Sequence, residues 1–265
     1  MTNKDLASCI ALNKLVPALL THDLMVFLSS RVGGSNELPE PLQQLRFFEQ
    51  TLINDLLFPA LALPGTANDE RGQLLSFDGI ASLIEKPILE LNRINEGEGL
   101  DLFARSEPDL VLSIRYGSIL HAEVISIPQY GVLNLHSGKL PEYRGVMATF
   151  WAMLNGETEV GTTLHYIDDV SIDTGRIAAT TAMFVDSKLS YLGHVLALYE
   201  AGCESILDAV KVIAESGSVE CAEQKIGGNY YSFPQEKDLQ EFSRRGLKLV
   251  DVEEIRMIAK QFIVR

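Results

Sequence analysis

PDLVLSI (residues 108–114), followed after a polar stretch by GVLNLH (131–136), decides the fold. Both are short apolar runs bounded by turn-forming residues. Runs of this kind are typical of strands buried on both faces in a parallel sheet. Working outward, the pattern alternates between strand and helix. Residues 88–91 read as a short strand, and 97–106 as a helix leading into 109–114. After 131–136, residues 146–155 read as a helix stopped by Gly156, with strands at 160–166 and 176–183. The longest helical pattern spans 189–215. Strands alternating with helices predict an α/β fold with a mostly parallel sheet.

The flanks are less regular. Residues 6–20 read as a helix with Pro17 late in it, 24–29 as a buried strand, 31–40 as a loop and 41–60 as a helix. Residues 62–79 are rich in turn formers. Beyond about 220 the chain becomes polar, passes through GGNYYSFP (227–234), and then reads as helices at 236–244 and 251–262. The expected organisation is a catalytic domain over 1–217 and a C-terminal extension over 218–265. Such folds usually open with a strand. Here a helix pattern follows MTNKD directly, so the sheet is expected to lack its usual first strand.

The chain has 265 residues, 46% hydrophobic and 22% charged, with a formal net charge of −14. An acidic chain repels phosphate backbones, which disfavours nucleic acid as a main partner. Cys9, Cys203 and Cys221 form no CxxC pair and signal neither zinc nor a disulfide framework. No stretch reaches the ~18 apolar residues needed to cross a bilayer, and no signal peptide is visible. The expectation is a cytoplasmic protein with no membrane partner and no metal.

In open α/β sheets, ligands bind beyond the carboxyl ends of the strands. Asn134 and His136 lie there, two apart on one strand and therefore on one face, while Leu135 packs away. Asp173 lies in the loop DDVSIDTG (168–175) between two later strands. Together these groups suit attack of an amine on a formyl carbonyl. The amide of Asn134 and an imidazolium N–H of His136 can both donate to the negative oxygen that forms. One such donor can be worth ~3 kcal/mol. Asp173 can hold His136 charged and accept or relay the proton that the amine loses. Singly, each residue has an ordinary structural reading as a turn former or a packed histidine. His22, His121, His165 and His194 have no comparable context; His165 and His194 read as packing or surface residues.

The motifs in order strengthen the reading. GVLNLHSGKLPEYRG (131–145), FWAMLNGETEVGTTLHYID (150–168) and SIDTG (171–175) resemble the folate-dependent formyltransferase family. The family pattern is Asn-x-His, Leu-Pro-x-x-(Arg/Lys)-Gly, a Gly-x-Thr strand and an Asp-x-Gly loop. Asn134, His136, Leu140-Pro141, Arg144-Gly145, Gly161 with Thr162 or Thr163, and Asp173-Thr174-Gly175 fill those places. One departure is Gly138, where many members carry serine two residues after the histidine; here Ser137 stands beside it.

The resemblance covers about 85–215. It implies a Rossmann-like formyltransferase fold and 10-formyltetrahydrofolate as formyl donor, and it assigns Asn134, His136 and Asp173 to catalysis. It places the pterin against Ser113, Ile114, Arg115, Tyr116, Gly117, Ile119, Asp168, Asp169 and Val170, with Lys139 and Arg144 toward the acceptor.

The expected acceptor is a small-molecule amine. KLPEYRG followed by WAMLNGE looks closest to the nucleotide-sugar N-formyltransferases. A methionyl-tRNA formyltransferase-like enzyme, another small amine such as hydroxyornithine, and a degenerate folate-binding member stay as alternatives. Arg144 reads equally as a contact for a substrate phosphate or as a turn anchor. Tyr230, Tyr231 and Phe233 are read first as packing the tail or forming a homodimer contact, and second as stacking on a base.

Overall fold

The computed structural model describes residues 1–30, 38–62, 74–225 and 227–263. In chain order it runs β1 (Thr2–Asn3), α1 (Leu6–Ala18), β2 (Phe27–Ser29), α2 (Glu40–Arg46), a π-helical stretch (Phe47–Leu57), α3 (Phe58–Leu61), α4 (Phe77–Leu83) and β3 (Leu89–Glu90). There follow α5 (Gly97–Arg105), β4 (Val111–Ile114), α6 (Ala122–Ile125), β5 (Val132–His136), β6 (Tyr143–Gly145), α7 (Ala148–Leu154), β7 (Glu159–Tyr166) and β8 (Ile177–Phe184). The chain continues through α8 (Tyr191–Ser216), β9 (Asn229–Tyr231), α9 (Glu236–Arg244) and α10 (Val252–Phe262). The expected loop at 31–40 and turn-rich segment at 62–79 lie largely outside the described residues.

The main sheet has the order β3-β2-β1-β4-β5-β7-β8. The first five strands are parallel, and β7 and β8 are antiparallel to their neighbours. The α/β class with a mostly parallel sheet is what the alternation predicted. The expectation of an empty first slot is corrected. Thr2 and Asn3 pair with Leu28 and Ser29 on one side, and Thr2 with Ile114 on the other. A two-residue strand has no periodicity to read, which is why sequence pattern missed it. Asp5 then caps α1, its carboxylate accepting from Ser8 N at 2.8 Å.

The central strands β4 and β5 are largely buried on both faces. Leu133, Leu135 and Ile114 join a large core with α1, α7 and α8, whereas Val111 and Val132 join a smaller one with Phe27 and Phe103. Asn134 and His136 continue the face of Val132 to the carboxyl end of the strand, where apolar packing gives way to a cavity.

The segment after 217 packs into the larger core through Leu239, Phe242, Ile255 and Phe262. Phe242 stacks on Phe150 with ring centroids 4.5 Å apart. The Glu254 carboxylate accepts from Ser190 N at 2.8 Å and Ser190 Oγ at 2.5 Å, tying α10 to the start of α8. The LPEYRG turn contains a strand that local pattern did not reveal. β6 pairs in parallel with β9, Tyr143 opposite Asn229 and Gly145 opposite Tyr231.

Candidate active site

A cavity of about 480 Å³ opens at the carboxyl ends of β4 and β5. Asn134, His136 and Asp173 all line it, together with His165. The antiparallel register sets Asn134 opposite His165 and His136 opposite Thr163.

His136 Nε2 lies 2.6 Å from the Tyr143 carbonyl, so that nitrogen carries a hydrogen and donates. His136 Nδ1 faces Asp173 Oδ2 at 3.5 Å. That separation is too long for a committed hydrogen bond, which makes the Nδ1 edge the one open to an incoming group. Asp173 Oδ2 also accepts from Gly145 N at 2.8 Å, and Asp173 Oδ1 lies 3.4 Å from His165 Nε2. Burial alone would raise the Asp173 carboxyl. The positive charge of His136, the hydrogen bond and charge of His165 and the Gly145 N–H outweigh it and hold the group at about 2.

His165, expected in a packing or surface role, is buried and also lines the cavity beside Asn134 and Asp173. Its Nδ1 donates to the Tyr166 carbonyl at 2.8 Å, and its Nε2 meets Asn134 Nδ2 at 3.1 Å. The available signal was the alternation along Gly161, Thr163 and His165, which places His165 on the Thr163 face. Pairing β7 against β5, a tertiary fact, made it decisive.

Arg115, Met147 and Asp173 have φ of 56°, 56° and 55°, a left-handed region that costs bulky residues energy, and all three line the cavity. Strain of this kind clusters at functional sites.

Among the residues expected to hold the pterin, Ser113, Arg115, Tyr116, Gly117, Ile119, Asp169 and Val170 line the cavity. Gly117 N donates to Ser29 Oγ at 2.9 Å, and the Tyr116 hydroxyl to the Leu91 carbonyl. The Arg115 side chain turns away from a ligand role. Its Nε donates to Asp5 Oδ2 at 2.8 Å and its Nη2 to Glu49 Oε1 at 2.9 Å.

Four expected positions lie elsewhere. Ile114 is in the core, and its backbone groups are used by Met1 O and Thr2 Oγ1. Asp168 pairs with Arg176 at 2.7 Å, off the cavity wall. Lys139 pairs with Glu159 at 2.8 Å and lines a separate cavity of about 90 Å³. Arg144 sits on β6 opposite Tyr230, off both walls, and its buried Nε has no hydrogen-bond partner. In the tail, Tyr231 packs against Tyr143 and Trp151, while Tyr230 and Phe233 reach the main cavity. Glu49 and Gln50, on the π-helical stretch, also line it, and no local motif marked them.

Among the described residues, no group of three His, Cys, Asp or Glu could hold a metal, and no helix is long and apolar enough to cross a membrane.

Residues 67–193 match the Formyl transferase family. A methionyl-tRNA formyltransferase of Clostridium tetani is 29% identical over 64% of this chain, which spans 55% of that protein's length. The N-formyltransferase of Helicobacter canadensis, solved with folinic acid and dTDP-3-aminofucose, superposes with a TM-score of 0.54 at 17% identity, covering 89% of this chain and 70% of that one. Phosphoribosylglycinamide formyltransferase of Anaplasma phagocytophilum gives a TM-score of 0.54 at 18% identity over 88% of this chain and 96% of that one. The four motifs and the site built from them all fall within residues 67–193, the stretch that is similar to the Formyl transferase family.

Proposed function

We propose that the protein is an N-formyltransferase that moves a formyl group from 10-formyltetrahydrofolate to the amine of a small acceptor, a nucleotide-linked amino sugar. The observation that carries the reading is the convergence of Asn134, His136 and Asp173 on one wall of one cavity. Formyltetrahydrofolate supplies the formyl carbonyl, and the cavity falls within the range of pockets that bury a ligand of drug size. Ser113, Tyr116, Gly117, Ile119, Asp169 and Val170 would hold the folate.

Asn134 spends one amide N–H on His165 and keeps the other for the formyl oxygen. His136, fixed by Tyr143 through Nε2, presents Nδ1 beside an ionised Asp173. With a hydrogen on Nδ1 that edge can donate to the oxygen as the acceptor N–C bond forms. Asp173 can take the proton the amine gives up and relay it to the donor's nitrogen as the formyl C–N bond breaks and tetrahydrofolate leaves.

Tyr230 and Phe233 at the cavity favour an acceptor with a ring to stack, and the −14 charge disfavours tRNA. Identity to methionyl-tRNA formyltransferases supports the second reading, formylation of charged tRNA. The deciding experiment offers 10-formyltetrahydrofolate with dTDP- and UDP-amino sugars, hydroxyornithine or aminoacylated initiator tRNA and measures formylated product. Transfer to a nucleotide sugar is expected. Transfer to tRNA alone would overturn the acceptor assignment, and no transfer to any amine would overturn the activity.

A further inference from the structure

The carboxylate of Asp173 is anchored by Gly145 N–H, but its backbone is held from a different part of the chain. Gln224 Nε2 donates to the Asp173 carbonyl at 3.1 Å and to the Gly175 carbonyl at 2.7 Å. One amide therefore spans the Asp-Thr-Gly turn at the point where Asp173 adopts φ +55°. Gln224 is itself fixed two residues away, where Ala222 and Ile177 exchange both backbone hydrogen bonds at 2.8 Å. The other anchor of Asp173 traces to the same segment. Gly145 belongs to β6, β6 is paired along β9, and Val146 N donates to the Tyr231 carbonyl at 2.9 Å. Gly145 has φ +94°, and a Cβ there would fall 2.1 Å from Tyr231 O, so the two strands can meet this closely only at glycine. β6 also carries the Tyr143 carbonyl that fixes His136.

We infer that residues 222–225 and 227–231 form a clamp on the catalytic centre, with Gln224 a positioning residue that sets the Asp173 carboxylate against His136 and His165. The clamp rests on the formyl-transfer reading for its effect on rate. Gln224 does not line the cavity and so acts through Asp173. The clamp also lies outside residues 67–193, the stretch that matches the family. The centre is thus completed by a part of this chain beyond the matched domain. A misplaced carboxylate should cost rate and leave donor binding alone, because the folate wall comes from other elements.

The test is Gln224→Met, which keeps the chain length and removes both donors. The full-length variant is assayed for kcat and folate KM, and its imidazole resonances are recorded by NMR with ¹⁵N-histidine. The expected result is a fall in kcat of about tenfold or more, a folate KM within about threefold of wild type, and displaced His136 and His165 resonances. Unchanged kcat with unchanged resonances would overturn the clamp, as would a loss confined to KM. If wild type transfers formyl to no amine, the functional reading fails, and the resonances alone decide the clamp. If Gln224→Met does not fold, Gln224→Asn, which withdraws the amide by one methylene, carries the same two readouts.

Discussion

Gly138 lies against the ring of His136 so closely that a Cβ there would sit 2.6 Å from Nε2. The same Cβ would fall 2.8 Å from Tyr143 O and 2.5 Å from Ala148 Cβ. A side chain at this position would force the His136 ring, the Tyr143 carbonyl it bonds or Ala148 to shift. Gly138→Ser is expected to displace the ring, lower kcat/KM by more than about tenfold and destabilise the fold by about 1–3 kcal/mol through overpacking. Steady-state kinetics and urea denaturation check both. Wild-type kinetics in the serine variant would mean that the contact does not position the ring.

His165 decides which end of the Asn134 amide faces the cavity. Its Nδ1 is committed as donor to the Tyr166 carbonyl; while the ring is neutral Nε2 accepts from Asn134 Nδ2 at 3.1 Å, and when the ring is charged Nε2 donates to Asp173 Oδ1 at 3.4 Å. An apolar residue of similar size leaves the amide free to flip and offer its oxygen to the formyl group, which repels. His165→Leu is expected to lower kcat by about tenfold, about 1.4 kcal/mol, while tetrahydrofolate still raises Tm as in wild type. Loss of the Tm shift would show that the residue serves folate binding instead.

Asp173 couples the site to acid stability. Its carboxyl is depressed from the model-compound value of 3.8 to about 2 in the fold. A depressed carboxyl contributes stability that is present above its unfolded pKa and lost as pH falls through its folded one. The window is therefore about pH 4 down to about pH 2, and the contribution is about 2 kcal/mol. The unfolding free energies of wild type and Asp173→Asn are expected to differ less at pH 2 than at pH 5, by about that amount. A pH-independent difference would show that the carboxylate gains nothing from its histidines. At neutral pH, His136→Ala and Asp173→Ala are expected to lose more than nine-tenths of kcat/KM while remaining folded.

What the sequence revealed and what it withheld divide along one physical line. β4, β5, α7 and α8 announce themselves by apolar runs and caps within a few residues, and Asn134, His136 and Asp173 by linked motifs. The misses depend on partners far along the chain. β1 is a strand because Leu28 and Ile114 flank it, and β6 because Tyr230 lies opposite Arg144. His165 joins the site through the register of β7 on β5. The resemblance places Lys139 toward the acceptor, yet Glu159 pairs with it at 2.8 Å. Spacing along a chain cannot report such choices, since each is made between elements.

Arg115 offers a last case where chemistry read from a motif and position read from the fold diverge. Its guanidinium bonds two carboxylates, Asp5 with a fully buried side chain and Glu49 with 12% exposure. Burial pushes the Glu49 carboxyl up, against the lowering charge of Arg115, and the charge of Asp5 adds to the rise. Removing the cation leaves Asp5 buried without its counter-charge and one residue from the helix it caps. Arg115→Met is therefore expected to cost about 3–5 kcal/mol, far more than an exposed ion pair would. Adding Glu49→Gln should recover part of that loss, because one of the two stranded carboxylates is gone. Urea denaturation of wild type and the single and double variants measures the coupling. A double variant no more stable than Arg115→Met would mean that the arginine acts by packing its stem and not by charge.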